Sequence, residues 1–575
     1  MKKLMALVAL LTPLPALAQG MVTSADPRAT EAGLEILRAG GSAADAAMAM
    51  MLALTVVEPQ SSGIGGGGFL LHQSARTGLL ETIDGRETAP AAATPQRFIG
   101  PDGKPLPFIS AVAGGKSVGV PGNIRLMALA TKKWGKLEWK ALFAPAIRLA
   151  EGGYRVTRPL AAASTNLFPL WGGSSTALAG PEGGPSTGTG TASGRFPDVA
   201  ALYAPGGKPL AEGDTVKNPA LAKLLRTLAE DGADAFYTGE NADALLKAVN
   251  GTSVAPSDMT AADLAGYRAK ERPPVCGTYR TYRICGMGPP SSGATTVIQI
   301  LGMLERFPLA ELGKDSPTSW HLIAEAMQLA YADREKYLAD RDFVEVPVAG
   351  LIDPNYIASR SRLISIGRAR NTYEAGSPPG APRRTAAMQI EVPSTTHFIA
   401  IDREGDIATM TSTVEGPFGS QLIANGYVLN NELTDFTLAP EQNGAPVANR
   451  VEGGKRPLSS MAPTIVYDAA GKPVFTVGAA GGKTIIMQVA KAIIAHVDWK
   501  LPARDAIGLG LVFFNKDGLV LEQGTSLPAM QPALEKMGHK VSVGRLGLKA
   551  NAAERTATGW VGAADPRGVG NALSE

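Results

Sequence analysis

Little of this 575-residue chain is charged, and histidine and cysteine are scarce. Charged residues make up 19% of the sequence, and 55 basic residues against 52 acidic ones leave a net charge of +3. A balance so near zero argues against nucleic acid as the main partner, because that function needs a strongly basic surface. The five histidines include no pair at the i, i+4 spacing of helical metal ligands, so neither a metal nor another cofactor is expected.

Long apolar runs are also lacking. After residue 18 no segment reaches the ~18 consecutive apolar residues that a membrane-spanning helix needs. The best candidate, residues 46–57, lies between Asp45 and Glu58 and predicts a buried helix instead. We therefore expect no membrane span in the mature protein.

The first eighteen residues form the pattern of an export signal. Lys2 and Lys3 precede an apolar stretch that ends in Ala16-Leu17-Ala18, the small-x-small sequence that a signal peptidase accepts. This pattern predicts a signal peptide over residues 1–18, a mature start at Gln19 and a periplasmic or secreted protein.

The only two cysteines, Cys276 and Cys285, lie in the segment VCGTYRTYRIC. If Arg280-Thr281 is the loop of a β-hairpin, the two cysteines face each other across its strands. At a non-hydrogen-bonded pair the Cα atoms approach to about 4.5 Å, which is close enough for a disulfide. An oxidising compartment permits that bond, and we predict it; two free buried thiols are the alternative.

Glycine and proline are abundant instead. The 67 glycines and 42 prolines amount to roughly 19% of the chain, where about 12% is usual, and 45% of the residues are hydrophobic. Such a composition excludes disorder, collagen and coiled coil. It predicts a packed globular protein with many turns and close backbone approaches.

Helical and strand patterns alternate along the chain, with two exceptions. Residues 164–195 and 373–394, rich in Gly, Ser, Thr or Pro, predict mobile surface segments. Directly after the second, THFIAID and DIATMTSTV alternate around Arg403-Glu404-Gly405 and predict a hairpin that starts at a threonine. A strand that begins right after a flexible segment raises the question of whether the chain is cut there.

Three familiar motifs occur, but the residues that flank or space them do not fit the functions that these motifs usually have. The dinucleotide fingerprint at residues 63–68 is followed by a strand where a helix is required. The nucleophile-elbow pattern at residues 115–119 is followed by Pro121 and Gly122. Residues 478–484, GAAGGKT, have one residue too few for a phosphate loop. Their adjacent glycines at a strand-to-helix junction still predict backbone N–H donors for a carboxylate or an oxyanion. The alternative is simply a tight turn.

Eight segments resemble, in order, the γ-glutamyltranspeptidase family. They are EPQSSGIGGGGF (58–69), DGRETAP (84–90), PPSSG (289–293), STTHFIAID (394–402), FGS (418–420), GYVLNNELTDF (426–436), KRPLSSMAPT (455–464) and GAAGGKT (478–484). The resemblance covers nearly the whole mature chain. It implies an α/β (α+β) fold, the four-layer αββα sandwich of N-terminal-nucleophile hydrolases, with one core shared by two chains that self-cleavage produces.

Under this resemblance Thr395 is the nucleophile. Cleavage of the Ser394-Thr395 bond frees the α-amine of Thr395, whose ordinary pKa of about 7.7–8.0 suits it as the base for the weakly nucleophilic hydroxyl. The same hydroxyl can attack the preceding carbonyl in the precursor. Thr396 and Ser394 are rivals in sequence, but the first Thr of the family's TTH pattern is the matching position.

The resemblance implies roles for nine further residues. Thr413 would hydrogen-bond the nucleophile, and the backbone of Gly481 and Gly482 would form the oxyanion hole. Arg86 would bind the substrate α-carboxylate, for which a guanidinium fork is suited. The residues for the α-ammonium would be Glu415, Glu432 and Asp435, and those that complete the carboxylate site would be Ser459 and Ser460.

Three segments depart from the family pattern. Leu438–Gly454, which covers the pocket in some members, looks shortened and contains no aromatic residue, so we expect a site more open to water and to bulkier substrates. Lys483 stands where a small hydroxyl residue is common. Leu511–Asn515 differs from a Pro-Arg segment of the family.

The sequence thus predicts a signal peptide (1–18), a large subunit (19–394) and a small subunit (395–575) that form a heterodimer. The expected activity is that of a γ-glutamyltransferase and glutathione hydrolase, which passes the γ-glutamyl group of glutathione and similar compounds to water, an amino acid or a peptide. A cephalosporin or glutaryl-type amide acylase on the same scaffold is the alternative. An unprocessed, catalytically silent binding protein is a rival of a different class.

Overall fold

The computed structural model describes residues 20–171, 195–387, 389–392 and 394–575. The expected signal peptide lies outside the described residues, as do residues 172–194 of the first expected mobile segment. The expectation for residues 164–171 is wrong, because they complete the helix Arg158–Trp171. That end of the helix is anchored by the buried Trp171, whose Nε1–H donates to Gln421 Oε1 (2.7 Å). Residues 373–387 contain no helix or strand, as predicted for the second segment.

Two antiparallel sheets form the centre of the molecule. The first has seven strands, in the spatial order Asn571–Ser574, Met21–Ser24, Thr396–Ile401, Ile407–Thr413, Gly67–Gln73, Leu80–Asp84 and Lys270–Arg272. The second has six, in the order Gly559–Ala564, Lys549–Thr556, Pro473–Ala480, Thr464–Tyr467, Tyr282–Gly286 and Val275–Tyr279. The predicted hairpin of Thr396–Ile401 and Ile407–Thr413 is therefore confirmed at the middle of the first sheet.

The remaining described strands are shorter and form four small sheets. One group of three comprises Val512–Asn515, Gly518–Glu522 and Val541–Gly544, and three pairs comprise Ile423–Ala424 with Tyr427–Val428, Glu441–Gln442 with Ala445–Pro446, and Tyr154–Arg155 with Thr215–Val216.

Helices cover the outer faces of the sheets and fill the connections. The α-helices are Pro27–Arg38, Ala43–Val57, Phe108–Val112, Asn123–Trp134, Ala144–Gly152, Arg158–Trp171, Pro197–Tyr203, Pro219–Asp231, Asp234–Tyr237, Gly239–Asn250, Ala261–Gly266, Gly293–Leu304, Leu309–Leu312, Pro317–Tyr337, Val348–Leu351, Pro354–Ser361, Thr484–Val497, Ala503–Gly508 and Gln531–Lys536. The 3₁₀ turns are Gly115–Ser117, Trp139–Phe143, Pro205–Gly207, Glu432–Asp435 and Leu527–Met530.

Alternating side chains bury both faces of the first sheet. In the strand Thr396–Ile401, Phe398 and Ala400 belong to the core that includes the helix Ala43–Val57, whereas Ile399 and Ile401 belong to the core shared with the second sheet. Period-two alternation in a strand sends neighbouring side chains to opposite faces, so each face gains its own apolar layer. Helices Gly293–Leu304 and Thr484–Val497 pack on the far side of the second sheet. The result is the predicted αββα sandwich.

The helix Ala43–Val57 is wholly buried, as its apolar run predicts. It begins with a capping box, in which the Ser42 side chain accepts from the Asp45 N–H and the Asp45 carboxylate accepts from the Ser42 N–H. Among the described residues, no helix combines the length and the apolar character that crossing a membrane requires.

Strand order intertwines the parts of the chain on either side of Thr395. The strand Met21–Ser24 precedes Thr395 in sequence, yet it lies between Thr396–Ile401 and Asn571–Ser574, both of which follow it. In the second sheet, Thr464–Tyr467 pairs likewise with Tyr282–Gly286. Each sheet is therefore built from both parts of the chain.

The predicted disulfide between Cys276 and Cys285 is confirmed. Tyr279 pairs with Tyr282 around the loop Arg280-Thr281, and this register places the cysteines opposite each other with Cα atoms 4.2 Å apart. Arg280 adopts a φ of +54°, the left-handed conformation that a two-residue hairpin loop requires.

We expect a thiol reagent to find no free thiol in denatured, unreduced protein and two after reduction. The double variant Cys276→Ala/Cys285→Ala should lose up to about 3 kcal/mol of unfolding free energy, because the unfolded chain is then no longer closed between these residues. Urea unfolding measures the loss. Two free thiols before reduction would contradict the prediction.

Candidate active site

Thr395 lies at the entry to the central strand of the first sheet and has an unusual backbone. Its φ is +88°, a region that a β-branched residue adopts only under strain of about 1–3 kcal/mol. The residue is 5% exposed and follows directly on Ser394, whose hydroxyl donates to the Gln60 carbonyl (2.9 Å). The strained position is thus held by the chain on both sides of the predicted cleavage point.

The Thr395 hydroxyl has a single side-chain partner among the described residues, Thr413. The two Oγ1 atoms lie 2.9 Å apart, and Thr413 Oγ1 also accepts from the Glu415 N–H (2.8 Å). The glycine run at residues 65–68 lets this arrangement form, since a Cβ atom on Gly66 would come within 1.9 Å of the Thr413 carbonyl oxygen. These glycines therefore allow close packing of the backbone, which agrees with the rejection of the dinucleotide motif.

A backbone N–H contacts the carbonyl of the predicted scissile bond. The Gly481 N–H donates to the Ser394 carbonyl oxygen (2.9 Å), just before the helix Thr484–Val497. The φ of Gly481 is +130° and that of Gly482 is +57°, conformations that glycine adopts without a Cβ penalty. The N–H is therefore aimed at the oxygen that would become an oxyanion if the Ser394 carbonyl were attacked.

The predicted substrate residues surround the same point. One cavity of about 20 Å³ is lined by every predicted catalytic and substrate residue except Gly481, together with Glu391, Val392, Met461 and Ile485. Those predicted residues are Arg86, Thr395, Thr413, Glu415, Glu432, Asp435, Ser459, Ser460 and Gly482. Their positions agree with the sequence expectation, and their roles stay predictions.

Arg86 is fully buried and holds two carboxylates. Its guanidinium forms ion pairs with Glu432 and Asp435, and its Nε–H donates to the Pro457 carbonyl (3.1 Å). Asp435 Oδ1 receives no hydrogen bond from any described residue. The cavity therefore offers both a guanidinium for an anion and a free carboxylate oxygen for a cation.

Carboxyl groups are crowded here. Burial raises the pKa of Glu415 well above its ordinary value, and the neighbouring Asp435 carboxylate raises it further. Burial likewise raises the pKa of Glu432 and that of Asp435, against the attraction of Arg86. Burial raises the pKa of Glu87 to about 7, against the attraction of the Arg86 guanidinium. A bound cation would stabilise the ionised forms, so the site is suited to an ammonium group.

Sequence reasoning missed a second guanidinium, that of Arg334. It is fully buried on the helix Pro317–Tyr337, and its Nη2–H donates to Ser460 Oγ (2.8 Å) and to Glu391 Oε1 (2.7 Å). Ser460 Oγ also donates to Glu391 Oε1 (2.8 Å), so the site already binds a carboxylate of the chain itself. The sequence signal was a charged ADRE step inside an otherwise apolar helical pattern.

The PPSSG motif positions the serine pair. Ser291 Oγ donates to the Met461 carbonyl and Ser292 Oγ to the Ser459 carbonyl, each at 2.7 Å. These bonds fix the backbone on both sides of Ser460, whose hydroxyl then points into the cavity.

A family model described as Gamma-glutamyltranspeptidase matches residues 29–574. The chain belongs to the γ-glutamyltranspeptidase family. The glutathione hydrolase proenzyme of Bacillus subtilis (strain 168) is 37% identical over 533 residues, which are 91% of this chain and 85% of that protein. The acylase ACY 1 proenzyme of Pseudomonas sp. (strain SE83) is 35% identical over 534 residues, 91% of this chain and 87% of that protein.

A solved structure of nearly equal length has the same fold as this chain. The crystal structure of cephalosporin acylase from Bacillus halodurans superposes with a TM-score of 0.81 and 26% identity, and the match covers 99% of each chain. The family and the fold class predicted from the sequence are thereby confirmed, as is the expectation of an enzyme.

The three departures from the γ-glutamyltranspeptidase pattern have distinct surroundings. Lys483 forms an ion pair with Glu335, and the Glu335 carboxylate accepts from the Gln389 N–H (2.9 Å). Lys483 and Glu335 together therefore hold the segment before the predicted cleavage point. Phe513 and Phe514 pack edge-on against Tyr331, whose hydroxyl donates to the Lys483 carbonyl. Residues 438–454 form only the short hairpin of Glu441–Gln442 and Ala445–Pro446.

His397 of the TTH motif is buried beneath the nucleophile. Its ring nitrogens contact the hydroxyls of Thr411 (2.9 Å) and Thr409 (3.2 Å), and a Cβ atom on Gly478 would lie 2.3 Å from the ring. Burial lowers the pKa of His397 to about 3, so the folded protein keeps it neutral.

Acid should therefore destabilise the protein through His397. Below about pH 6.5 His397 binds a proton in the unfolded chain but not in the folded chain. The contribution of this residue therefore lowers the unfolding free energy by about 2 kcal/mol from pH 7 to pH 5. Urea unfolding of uncleaved Thr395→Ala protein, with and without His397→Gln, measures this share. An identical pH dependence in both proteins would contradict the prediction.

Proposed function

We propose that this chain is the precursor of a γ-glutamyltransferase and glutathione hydrolase. The observation that carries the proposal is the arrangement at one peptide bond. The Gly481 N–H donates to the Ser394 carbonyl oxygen, while the hydroxyl of Thr395, the next residue, is hydrogen-bonded to Thr413, each at 2.9 Å. The identity to the glutathione hydrolase of Bacillus subtilis over 91% of the chain supports the substrate class.

Self-cleavage follows from this arrangement. Thr395 Oγ1 attacks the Ser394 carbonyl carbon, and the Gly481 N–H stabilises the oxyanion that forms. The bond to the Thr395 nitrogen then breaks, the nitrogen takes up the proton of the hydroxyl, and the acyl group is left on oxygen as an ester. The acyl shift frees the α-amine of Thr395. Water then hydrolyses the ester, which frees the Thr395 hydroxyl and leaves Ser394 with a carboxylate. Relief of the positive φ at Thr395 favours the reaction.

Turnover uses the same atoms. The freed α-amine of Thr395 accepts the proton of Oγ1 as it attacks the γ-glutamyl carbonyl, and then returns a proton to the leaving amine. The resulting ester on Thr395 passes its γ-glutamyl group to water or to the amine of an amino acid or peptide. Gly481 and Gly482 stabilise the oxyanion of each step.

Substrate recognition divides between the two charged ends of the glutamyl group. The α-carboxylate binds to Arg86 with Ser459 and Ser460, and the α-ammonium binds to Glu415, Glu432 and Asp435. The free Oδ1 of Asp435 and the raised pKa values of these carboxyls support the ammonium site. The name of the Bacillus subtilis relative adds glutathione as the expected donor.

Before cleavage the pocket is too small for that substrate. A cavity of about 20 Å³ holds little more than one water molecule, because Glu391 and Val392 occupy the rest of the site. We propose that residues 19–394 and 395–575 become the two subunits of a heterodimer, and that the end of the first leaves the pocket. The pattern of residues 1–18 supports export to the periplasm or the medium.

Kinetics on two matched amides test the function. A γ-glutamyl anilide and a glutaryl anilide differ only in the α-ammonium group. We expect the mature protein to favour the γ-glutamyl compound in kcat/KM by at least about a hundredfold, because a site with charged partners for an ammonium rejects the analogue that lacks it. A clear preference for the glutaryl anilide would overturn the assignment.

That outcome would support the second candidate, a cephalosporin or glutaryl-type amide acylase. Several relatives of this chain carry acylase names, and the short segment 438–454 without an aromatic residue suits a bulky leaving group. The nucleophile and oxyanion hole would be the same in both enzymes.

A further inference from the structure

A second cluster of chemically active side chains lies far from Thr395. His321 and Glu325 are one turn apart on the helix Pro317–Tyr337, and His539 follows the helix Gln531–Lys536. All three are buried, with relative exposures of 0%, 0% and 8%. Along the helix axis, His321 is about 20 Å from Arg334, the residue of that helix that contacts the active site.

The hydrogen bonds of His321 fix its tautomer. Its Nε2 lies 2.7 Å from the Ser365 carbonyl oxygen, which can only accept, so Nε2 carries the proton. Nδ1 therefore presents a lone pair, and it lies 2.7 Å from His539 Nε2. A histidine that binds a metal commonly donates its other ring N–H to a carbonyl oxygen. His321 has this arrangement, because its Nε2–H donates to the Ser365 carbonyl while its Nδ1 faces His539.

Glu325 supplies an oxygen to the same point. The Tyr373 hydroxyl and the Arg370 N–H both donate to Oε1 of its carboxylate. Its other oxygen, Oε2, is buried and receives no hydrogen bond from any described residue. Such an unpartnered buried carboxylate oxygen is costly unless a cation or a proton lies beside it.

We propose that His321, Glu325 and His539 bind one Zn²⁺ ion. The ligand atoms of the three residues all lie within 4.8 Å of one another. Two imidazole nitrogens and one carboxylate oxygen are a ligand set that zinc accepts, with water as the fourth ligand. Bonds of about 2.0–2.2 Å to a central ion require shifts of roughly an ångström from these positions, and His539 would carry its proton on Nδ1 rather than on the Nε2 that faces His321.

Sequence patterns did not indicate this site, because its ligands are far apart in the chain. The histidines are separated by 218 positions, and the only local spacing is between His321 and Glu325. The ion would also join the two predicted subunits, since His321 and Glu325 precede residue 394 and His539 follows it. Its role would be structural, as a cross-link between chains after cleavage.

Zinc binding to untagged mature protein tests the proposal. After treatment with EDTA and dialysis, addition of ZnCl₂ should load about one ion per molecule and raise the thermal midpoint by about 2–4 °C. Elemental analysis after gel filtration measures the ion, and scanning calorimetry measures the midpoint.

Two variants separate the site from incidental binding. His539→Ala and Glu325→Gln should each weaken zinc binding at least about tenfold, whereas His496→Ala, which removes a half-buried histidine elsewhere, should not. If His539→Ala fails to fold, Glu325→Gln decides, because it keeps the size of the side chain. Equal zinc content and midpoint in wild type and Glu325→Gln would overturn the proposal and leave a simple hydrogen bond between the two histidines.

Discussion

Thr395→Ala protein should remain a single chain and show at least a thousandfold less turnover than wild type. One hydroxyl serves both reactions in the proposed mechanism, so its loss removes cleavage and catalysis together. With 59.5 kDa for 575 residues, residues 19–394 and 395–575 correspond to about 39 and 19 kDa. A denaturing gel should show these two bands for wild type and only the uncut chain for the variant.

Ser394→Ala is the matched control for this experiment. It removes the neighbouring hydroxyl, which donates to the Gln60 carbonyl, but leaves the peptide carbonyl and Thr395 in place. Cleavage should persist, and N-terminal sequencing of the small piece should read Thr-Thr-His. A Thr395→Ala protein that is still cut, or an active wild type that stays a single band, would contradict the assignment of the nucleophile. A wild type that stays a single band and shows no turnover would support the unprocessed, silent binding protein instead.

Arg86→Lys should lower kcat/KM for a γ-glutamyl anilide by about a hundredfold. Lysine keeps the charge but loses the fork that binds a carboxylate in two places, and the buried Glu432 and Asp435 lose a partner. A 4-aminobutanoyl anilide lacks the α-carboxylate, so its kcat/KM should fall far less. The preference of the enzyme for the γ-glutamyl compound over this analogue is the quantity to measure.

Arg97→Lys provides the control, since Arg97 is also buried and paired, with Asp258 (2.8 Å), but does not line the cavity. Its substrate preference should match that of wild type. Unchanged preference in Arg86→Lys together with a loss in Arg334→Lys would contradict the role of Arg86. The carboxylate site would then be the one where Arg334 and Ser460 hold Glu391.

Local patterns predicted much of the fold. The buried helix at residues 46–57, the hairpin after Thr395 and the disulfide hairpin each depend on residues near one another in sequence, and all three are confirmed. The glycines before Thr484 were correctly placed between a strand and a helix. The four-layer arrangement came from resemblance to a family, since periodicity does not specify how sheets stack.

Contacts between distant residues were out of reach. Arg334 contacts Ser460, which is 126 positions away in the chain. The local sequence ADRE does not indicate which element the Arg334 side chain faces. Residues 164–171 were predicted to be irregular because glycine, serine and proline follow them, yet burial of Trp171 stabilises the helix. In each case tertiary packing outweighed the local signal.

The intertwined strand order has a consequence for the stability of the two pieces that the proposed cleavage would produce. Because Met21–Ser24 lies between two strands of the other piece, the pieces cannot separate without opening the first sheet. Separated pieces would have to find each other again, so refolding would depend on their concentration and compete with aggregation. The single precursor has no such second-order step. Under the proposed cleavage, the lifetime of the mature enzyme would therefore be governed by how slowly it unfolds, and folding would have to be complete before the cut.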